Sequence, residues 1–200
     1  KVHRVLRLFF RTNMNRQRGF GSQCSEAHYA AARQIAGEGI VLLQNTDGVL
    51  PIDTVKTRRI LVVGENAIKM MTPGGGSSTL KAQHEILPLD GLRQALGNGI
   101  EVEYARGYVG DPNNEVEGVP APYNLAEQRS PQELRDEAVA KALEADYVVV
   151  FGGLNKSWHQ DCEGADRKEY GLPYGQDSLI EALADVNKNL VYVNISGNPV

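Results

Sequence analysis

Cysteine is scarce here: Cys24 and Cys162 are the only two in 200 residues. That is too few for a disulfide framework or for a metal site of the CxxC type. Each is expected to be a free or buried thiol, although parity alone permits one bridge between them. No stretch reaches the roughly 18 uninterrupted apolar residues that a membrane span requires, and KVHRVLRLFF is too short and too charged to act as a signal peptide. Basic residues are not in excess. Lys and Arg number 21 against 25 Asp and Glu, a net charge of -4, which offers no footprint for nucleic acid or an anionic lipid surface. Neither nucleic acid nor membrane is expected as a partner, whereas small neutral ligands remain open.

Several catalytic signatures are missing as well. The glycine-rich stretch TPGGGSSTLKAQH (72–84) has neither the GxxxxGK[ST] spacing of a phosphate-binding loop nor the GxGxxG of a dinucleotide fold. GxSxG is absent, and His3, His28, His84 and His159 have no triad-like context. His159 and Asp161 are close in sequence, but a catalytic metal site wants a third convergent ligand, so no metal and no cofactor is expected.

What is present is an alternation. The chain begins at Lys1, not Met, and stops at Val200 directly after a strand-like run, so it is expected to be a piece of a longer polypeptide. Residues 1–24 read as the tail of a preceding domain and a linker. Ser25 offers an N-cap to a helix whose apolar residues (Ala27, Ala31, Ile35, then Ile40 to Leu43) keep helical spacing as far as Asn45. From there the spacing predicts strands over 59–64, 100–107, 146–153 and 190–197, and helices over 89–97, 130–145 and 178–189. The third of the four helices in this reading is the best signed, with Ser130 as N-cap, Pro131 at the first position and Glu133 completing a capping box.

Strands alternating with helices imply βαβ units. The expected fold class is therefore α/β, a mostly parallel sheet with helices on both faces, an α/β sandwich spanning 25–200. Glycines end the predicted strands at Gly64, Gly107, Gly152 and Gly197, placing close-approach backbone at the carboxyl edge of the sheet, where open α/β folds put their ligands.

From that edge leaves the crowded loop WHQDCEGADRKEYGLPYGQ. Glu163 stands before a glycine, so the backbone can turn sharply and aim its carboxyl into a cleft; beside an aromatic, such a carboxyl has the raised pKa of a general acid. Trp158, the sole tryptophan, suits stacking on a sugar ring or, equally, packing over the sheet edge. His159 is taken with it as a ligand contact, against the plainer reading of a surface histidine. Asp166 and Arg167 read as an ion pair that holds the loop. Ser77 and Ser78 are candidates to hydrogen-bond a polyhydroxylated ligand, against the alternative of a plain surface loop.

EGIVLLQNTDGVLPI, RILVVGENA, GGGSSTL and ADYVVVFGG, then EGADRKEYGLPYGQDSLIEAL and LVYVNISGNPV, occur in this order. Together they resemble the second, α/β sandwich domain of glycoside hydrolase family 3, the β-glucosidases and β-xylosidases, over about residues 25–200. The resemblance implies an exo-acting retaining β-glycosidase. An N-terminal (β/α) barrel of the same polypeptide would carry the aspartate nucleophile, and Glu163 the general acid/base, with Asp161 as the runner-up. It further implies an oligosaccharide or other β-glycoside as substrate, with Ser77 or Ser78 touching it. The fragment alone would then be inactive, and a last strand and helix would be missing after Val200. A periplasmic or secreted location accords with the resemblance, but these residues carry no signal for it. The rival reading is a carbohydrate- or nucleotide-binding α/β module without chemistry.

Overall fold

In the central strand segments, Ile60 to Val63 and Val148 to Phe151, the side chains that face opposite sides of the sheet are all apolar. RILVV and YVVVF allow no hydrated face, so each must be covered twice. The computed structural model describes residues 1–12, 21–72, 77, 79–110 and 121–200. It divides into two compact units, Lys1–Gln44 and Asn45–Val200.

The first unit contains α1 (Val2–Arg11) and α2 (Glu26–Gly39). The expected boundary at 24/25 falls between these two helices. Ser25 caps α2 through its hydroxyl, which accepts from the His28 backbone at 3.4 Å, while the His28 ring accepts from the Ser25 N–H. This is a capping box with histidine in the glutamate position. The helix does not continue through Ile40 to Leu43 as the spacing predicts. It stops at Gly39, and Ile40 is extended (φ −80°, ψ 123°): two glycines, Gly37 and Gly39, weaken the last turn, and the β-branched pair that follows favours extended backbone.

The second unit opens on Asn45, whose amide brackets both the N–H and the carbonyl of Leu50. Its strands are β1 (Arg59–Val63), β2 (Glu101–Ala105), β3 (Tyr147–Gly153) and β4 (Leu190–Ile195). Its helices are α3 (Pro88–Leu96), α4 (Pro131–Ala142) and α5 (Gln176–Val186). The four strands form one sheet in the order β2-β1-β3-β4, every pairing parallel. Side chains alternate between two cores as the pleat requires. Leu61, Val63, Val148 and Val150 pack with Ala138 and Ala142 of α4 and Leu179 and Leu183 of α5. Ile60, Val62, Val149 and Phe151 pack on the other side with Leu89 of α3, Ala67, Ile68 and Leu125. Each of the Val, Leu, Ile and Phe side chains among them contributes about 1.5–3 kcal/mol by its burial. The fold is thus the α/β sandwich read from the sequence.

The strand order sets the site. After β1 the chain moves by α3 to β2 on one side; after β2 it crosses back by α4 to β3 on the other. Connections leaving β1 and β3 therefore diverge to opposite faces, and a crevice opens between them at their carboxyl ends.

Candidate active site

The connection after β1 is drawn tight against β3. Gly64 has φ 116°, and a Cβ there would clash with the carbonyl oxygen of Phe151; only glycine permits this approach. Asn66, buried just beyond, donates its side-chain N–H groups to the carbonyls of Gly152 and Leu154, both at 3.0 Å. Its backbone N–H reaches the Tyr108 hydroxyl, which in turn donates to Phe151 O at 3.3 Å. Burial pushes the Tyr108 phenol well above its usual pKa, so it remains a neutral donor. Glu65, fully buried, takes hydrogen bonds from Arg106 at 2.8 Å and from the Gly110 N–H at 2.6 Å. The same Arg106 nitrogen reaches Leu125 O at 2.6 Å. Further along, Glu85 accepts from the backbone of Met71 (2.6 Å) and of Thr72 (3.3 Å) and from the Thr72 hydroxyl (2.6 Å). That fixes the stem of the glycine-rich loop.

The connection after β3 is held by the glutamine of LPYGQ. Gln176, buried at the start of α5, accepts from the Gly153 N–H (2.8 Å) and donates to the Gly153 carbonyl (2.9 Å), as a neighbouring strand would. Asn155 then accepts from Ser157 N–H through its side chain and from Asp161 N–H through its carbonyl, both at 2.9 Å. Two left-handed residues, His159 (φ 62°) and Gly164 (φ 89°), turn the loop, and His159 Nδ1 lies 2.9 Å from Asp166 O.

Glu163 sits between these turns, exposed, and its Oε1 accepts a hydrogen bond of 2.5 Å from the Ser77 hydroxyl. The two connections that diverge at the switch point are thus joined by a carboxylate from one and a hydroxyl from the other. Trp158 is 65% exposed, its ring edge-on to His159 with centroids 5.5 Å apart, and it flanks Gly164. Ser78 lies outside the described residues.

Arg167 corrects the sequence reading. It makes no ion pair with Asp166 among the described residues; its guanidinium instead donates to the carbonyls of Glu169 and Pro199, each at 2.6 Å, and of Tyr170 and Gly171, and lies over the Tyr170 ring at 5.4 Å. A planar five-donor fork suits several carbonyls at once better than a single short carboxylate. Cys24 and Cys162 are both free. A cavity of about 510 Å³ adjoins the loop, lined by Asp161, Cys162, Arg167, Tyr170, Asn198 and Pro199 among others. Glu163, Ser77 and Trp158 do not line it; their site is an open rim. Among the described residues no three His, Cys, Asp or Glu side chains converge as metal ligands, and no helix is long and apolar enough to cross a membrane.

Sequence reasoning missed Asn155, Gln176 and Glu85, which hold the two loops. The Gln of LPxxQ stood in the quoted motif, but nothing local indicated that its partner would be Gly153.

Comparison with known proteins places this geometry. The chain is 50% identical over its whole length to Beta-glucosidase BoGH3A of Bacteroides ovatus, of which it covers 26%. It is 32% identical, again throughout, to Thermostable beta-glucosidase B of Acetivibrio thermocellus, covering 24%. The chain therefore spans about a quarter of the length of these curated relatives. A Bifidobacterium adolescentis GH3 beta-glucosidase superposes over 98% of the chain with a TM-score of 0.70 at 31% identity, the match covering 25% of that protein. The Kluyveromyces marxianus beta-glucosidase reaches a TM-score of 0.75 at 19% identity over the whole chain and 38% of its own length, a likeness of fold. Residues 40–200, which contain the whole sheet and both loops of the rim, match the Glycosyl hydrolase family 3 C-terminal domain, and it is to this family that the chain belongs.

Proposed function

We propose that Glu163 is the general acid/base of an exo-acting retaining β-glycosidase, assembled when this domain meets a preceding (β/α) barrel of the same polypeptide that carries the nucleophile. The observation that carries the reading is the hydrogen bond from Ser77 to Glu163 across the carboxyl-end crevice, where open α/β folds receive their ligands. The kinship with β-glucosidases supports it.

A retaining mechanism needs two carboxyls about 5–5.5 Å apart. In the first step the barrel's nucleophile attacks the anomeric carbon while the protonated Glu163 gives its proton to the glycosidic oxygen. In the second, the Glu163 carboxylate takes a proton from water, which attacks the glycosyl-enzyme. Ser77 holds the carboxyl in place through its short hydrogen bond, and Ser78 follows it in the same loop as a sugar contact. Trp158, with His159 against its edge, offers a stacking surface to the saccharide. Terminal β-linked sugars are the substrate class, no cofactor enters, and the fragment alone turns nothing over because it holds only one of the two carboxyls.

Glu163→Gln in the full-length polypeptide tests this. The kcat/KM for a β-glycoside with a poor leaving group should fall by about 10²–10⁴-fold, and far less for a dinitrophenyl glycoside, whose leaving group needs no proton. Unchanged turnover on both would assign the rim to ligand binding without chemistry.

A further inference from the structure

Asp161 stands two residues before Glu163, and its carboxylate is committed elsewhere. Oδ2 accepts from the Gly197 backbone N–H at 2.6 Å and faces Lys156 Nζ at 3.4 Å; Oδ1 accepts from the Asn198 side chain at 3.1 Å. Its own N–H closes the loop on Asn155 O at 2.9 Å. The side chain is only 17% exposed. Gly197, just past β4, has no room for anything larger: a Cβ there would lie 2.6 and 2.7 Å from the two carboxylate oxygens. One end of the loop is thereby tied to the turn after β4, while Ser77 holds the tip of the Glu163 side chain.

We infer that Asp161 is a positioning residue for the glycosidase reaction, fixing the height of Glu163 over the rim by anchoring its loop to Gly197 and Asn198. The inference rests on the reading of Glu163 as acid/base. Asp161 itself is turned to backbone and amide donors and touches no reacting atom. It acts through the short backbone span to Glu163, which extends at most about 7 Å. With the anchor cut, the stretch between the left-handed turns at His159 and Gly164 swings without its tie to the sheet. Proton transfer, which demands hydrogen-bond geometry, suffers first.

The test uses the full-length enzyme carrying Asp161→Ala, Asp161→Asn or Gly197→Ala, beside Glu163→Gln, assayed with aryl β-glycosides of poor and of good leaving group. Asp161→Ala should lower kcat/KM about 10²-fold on the poor leaving group, as expected for a misplacement near 1 Å. The loss should be under about threefold on the dinitrophenyl glycoside, whose cleavage needs no acid. Asp161→Asn, which keeps an acceptor for Gly197, should lose less, and Gly197→Ala should show the same leaving-group split from the other partner. An equal loss on both substrates, or none, in variants with unchanged melting temperature overturns the inference while Glu163→Gln remains inactive. A fully active Glu163→Gln overturns the underlying reading instead. If Asp161→Ala does not fold, the split in Asp161→Asn and Gly197→Ala decides in the same way.

Discussion

At the amino end of the sheet, Asp146 accepts from the backbone of Arg58 and Arg59 at 2.6 and 2.9 Å. Nearby, Asn187 donates to the carbonyls of Ala142 and Ala145 and accepts from the Asn189 N–H, and Asn189 donates to Asp146 O. At the carboxyl end, Asn66, Asn155, Gln176 and Asp161 bind backbone in much the same manner. The difference lies in what they hold. The amino-end side chains close the short connectors into β3 and β4; the carboxyl-end ones brace the long connections after β1 and β3, the second of which presents the exposed Glu163 carboxylate to the Ser77 hydroxyl. Polar side chains of one type thus serve stability at one edge and presentation at the other, because the topology opens its crevice at only one of the two.

Three substitutions probe that contrast. Gln176→Ala leaves the buried Gly153 N–H and carbonyl without partners, and should cost about 2 kcal/mol of stability, read as a lowered melting temperature. Turnover of the folded fraction should fall too, since β3's end carries the Glu163 loop. Ser77→Ala should lower turnover about tenfold, equivalent to roughly 1.4 kcal/mol, with the melting temperature unmoved. The reverse pattern would make the rim a structural contact and dissolve the distinction between the edges. Asp146→Ala should do the opposite, costing about 1 kcal/mol, limited by solvent screening at this exposed position, and leaving turnover untouched. Asp146 also has a pH signature. Hydrogen bonds from Arg58 and Arg59 hold its carboxyl below the usual carboxylate range. Its contribution is therefore complete above the unfolded-chain value near 3.9 and disappears as pH falls through the lower folded value. Acid unfolding of wild type and Asp146→Ala should converge at the low end of that window and differ by a constant amount above it.

The elements of the sheet were legible because their signals are local. Apolar runs, the Ser130, Pro131 and Glu133 cap and the strand-ending glycines are each read within a few residues, and β1 to β4 and α3 to α5 appear where the sequence put them. The end of α2 was not: apolar spacing ran on through Leu43, while backbone preference at Gly37, Gly39 and Ile40 stopped the helix. At the rim, Glu163 before Gly164 could be singled out as a residue, but its partner could not, since Ser77 arrives through the crossover order of the strands. Arg167 was misread for the same reason. Its adjacent acid looked like a partner in one dimension, whereas the carbonyls it reaches include Pro199, which only the parallel pairing of β3 and β4 brings near. Asp161, the alternative acid by sequence, is tied down by Gly197 across that same pairing.

The most direct measurement is chemical. The full-length polypeptide carrying Glu163→Ala is given a dinitrophenyl β-glycoside and azide, and the configuration of the product is determined. A β-glycosyl azide, formed at a restored rate, is the predicted result, because azide attacks the glycosyl-enzyme in place of the water that Glu163 no longer activates. An α-glycosyl azide would make Glu163 the nucleophile, and absence of any rate change on substitution would remove it from the chemistry altogether.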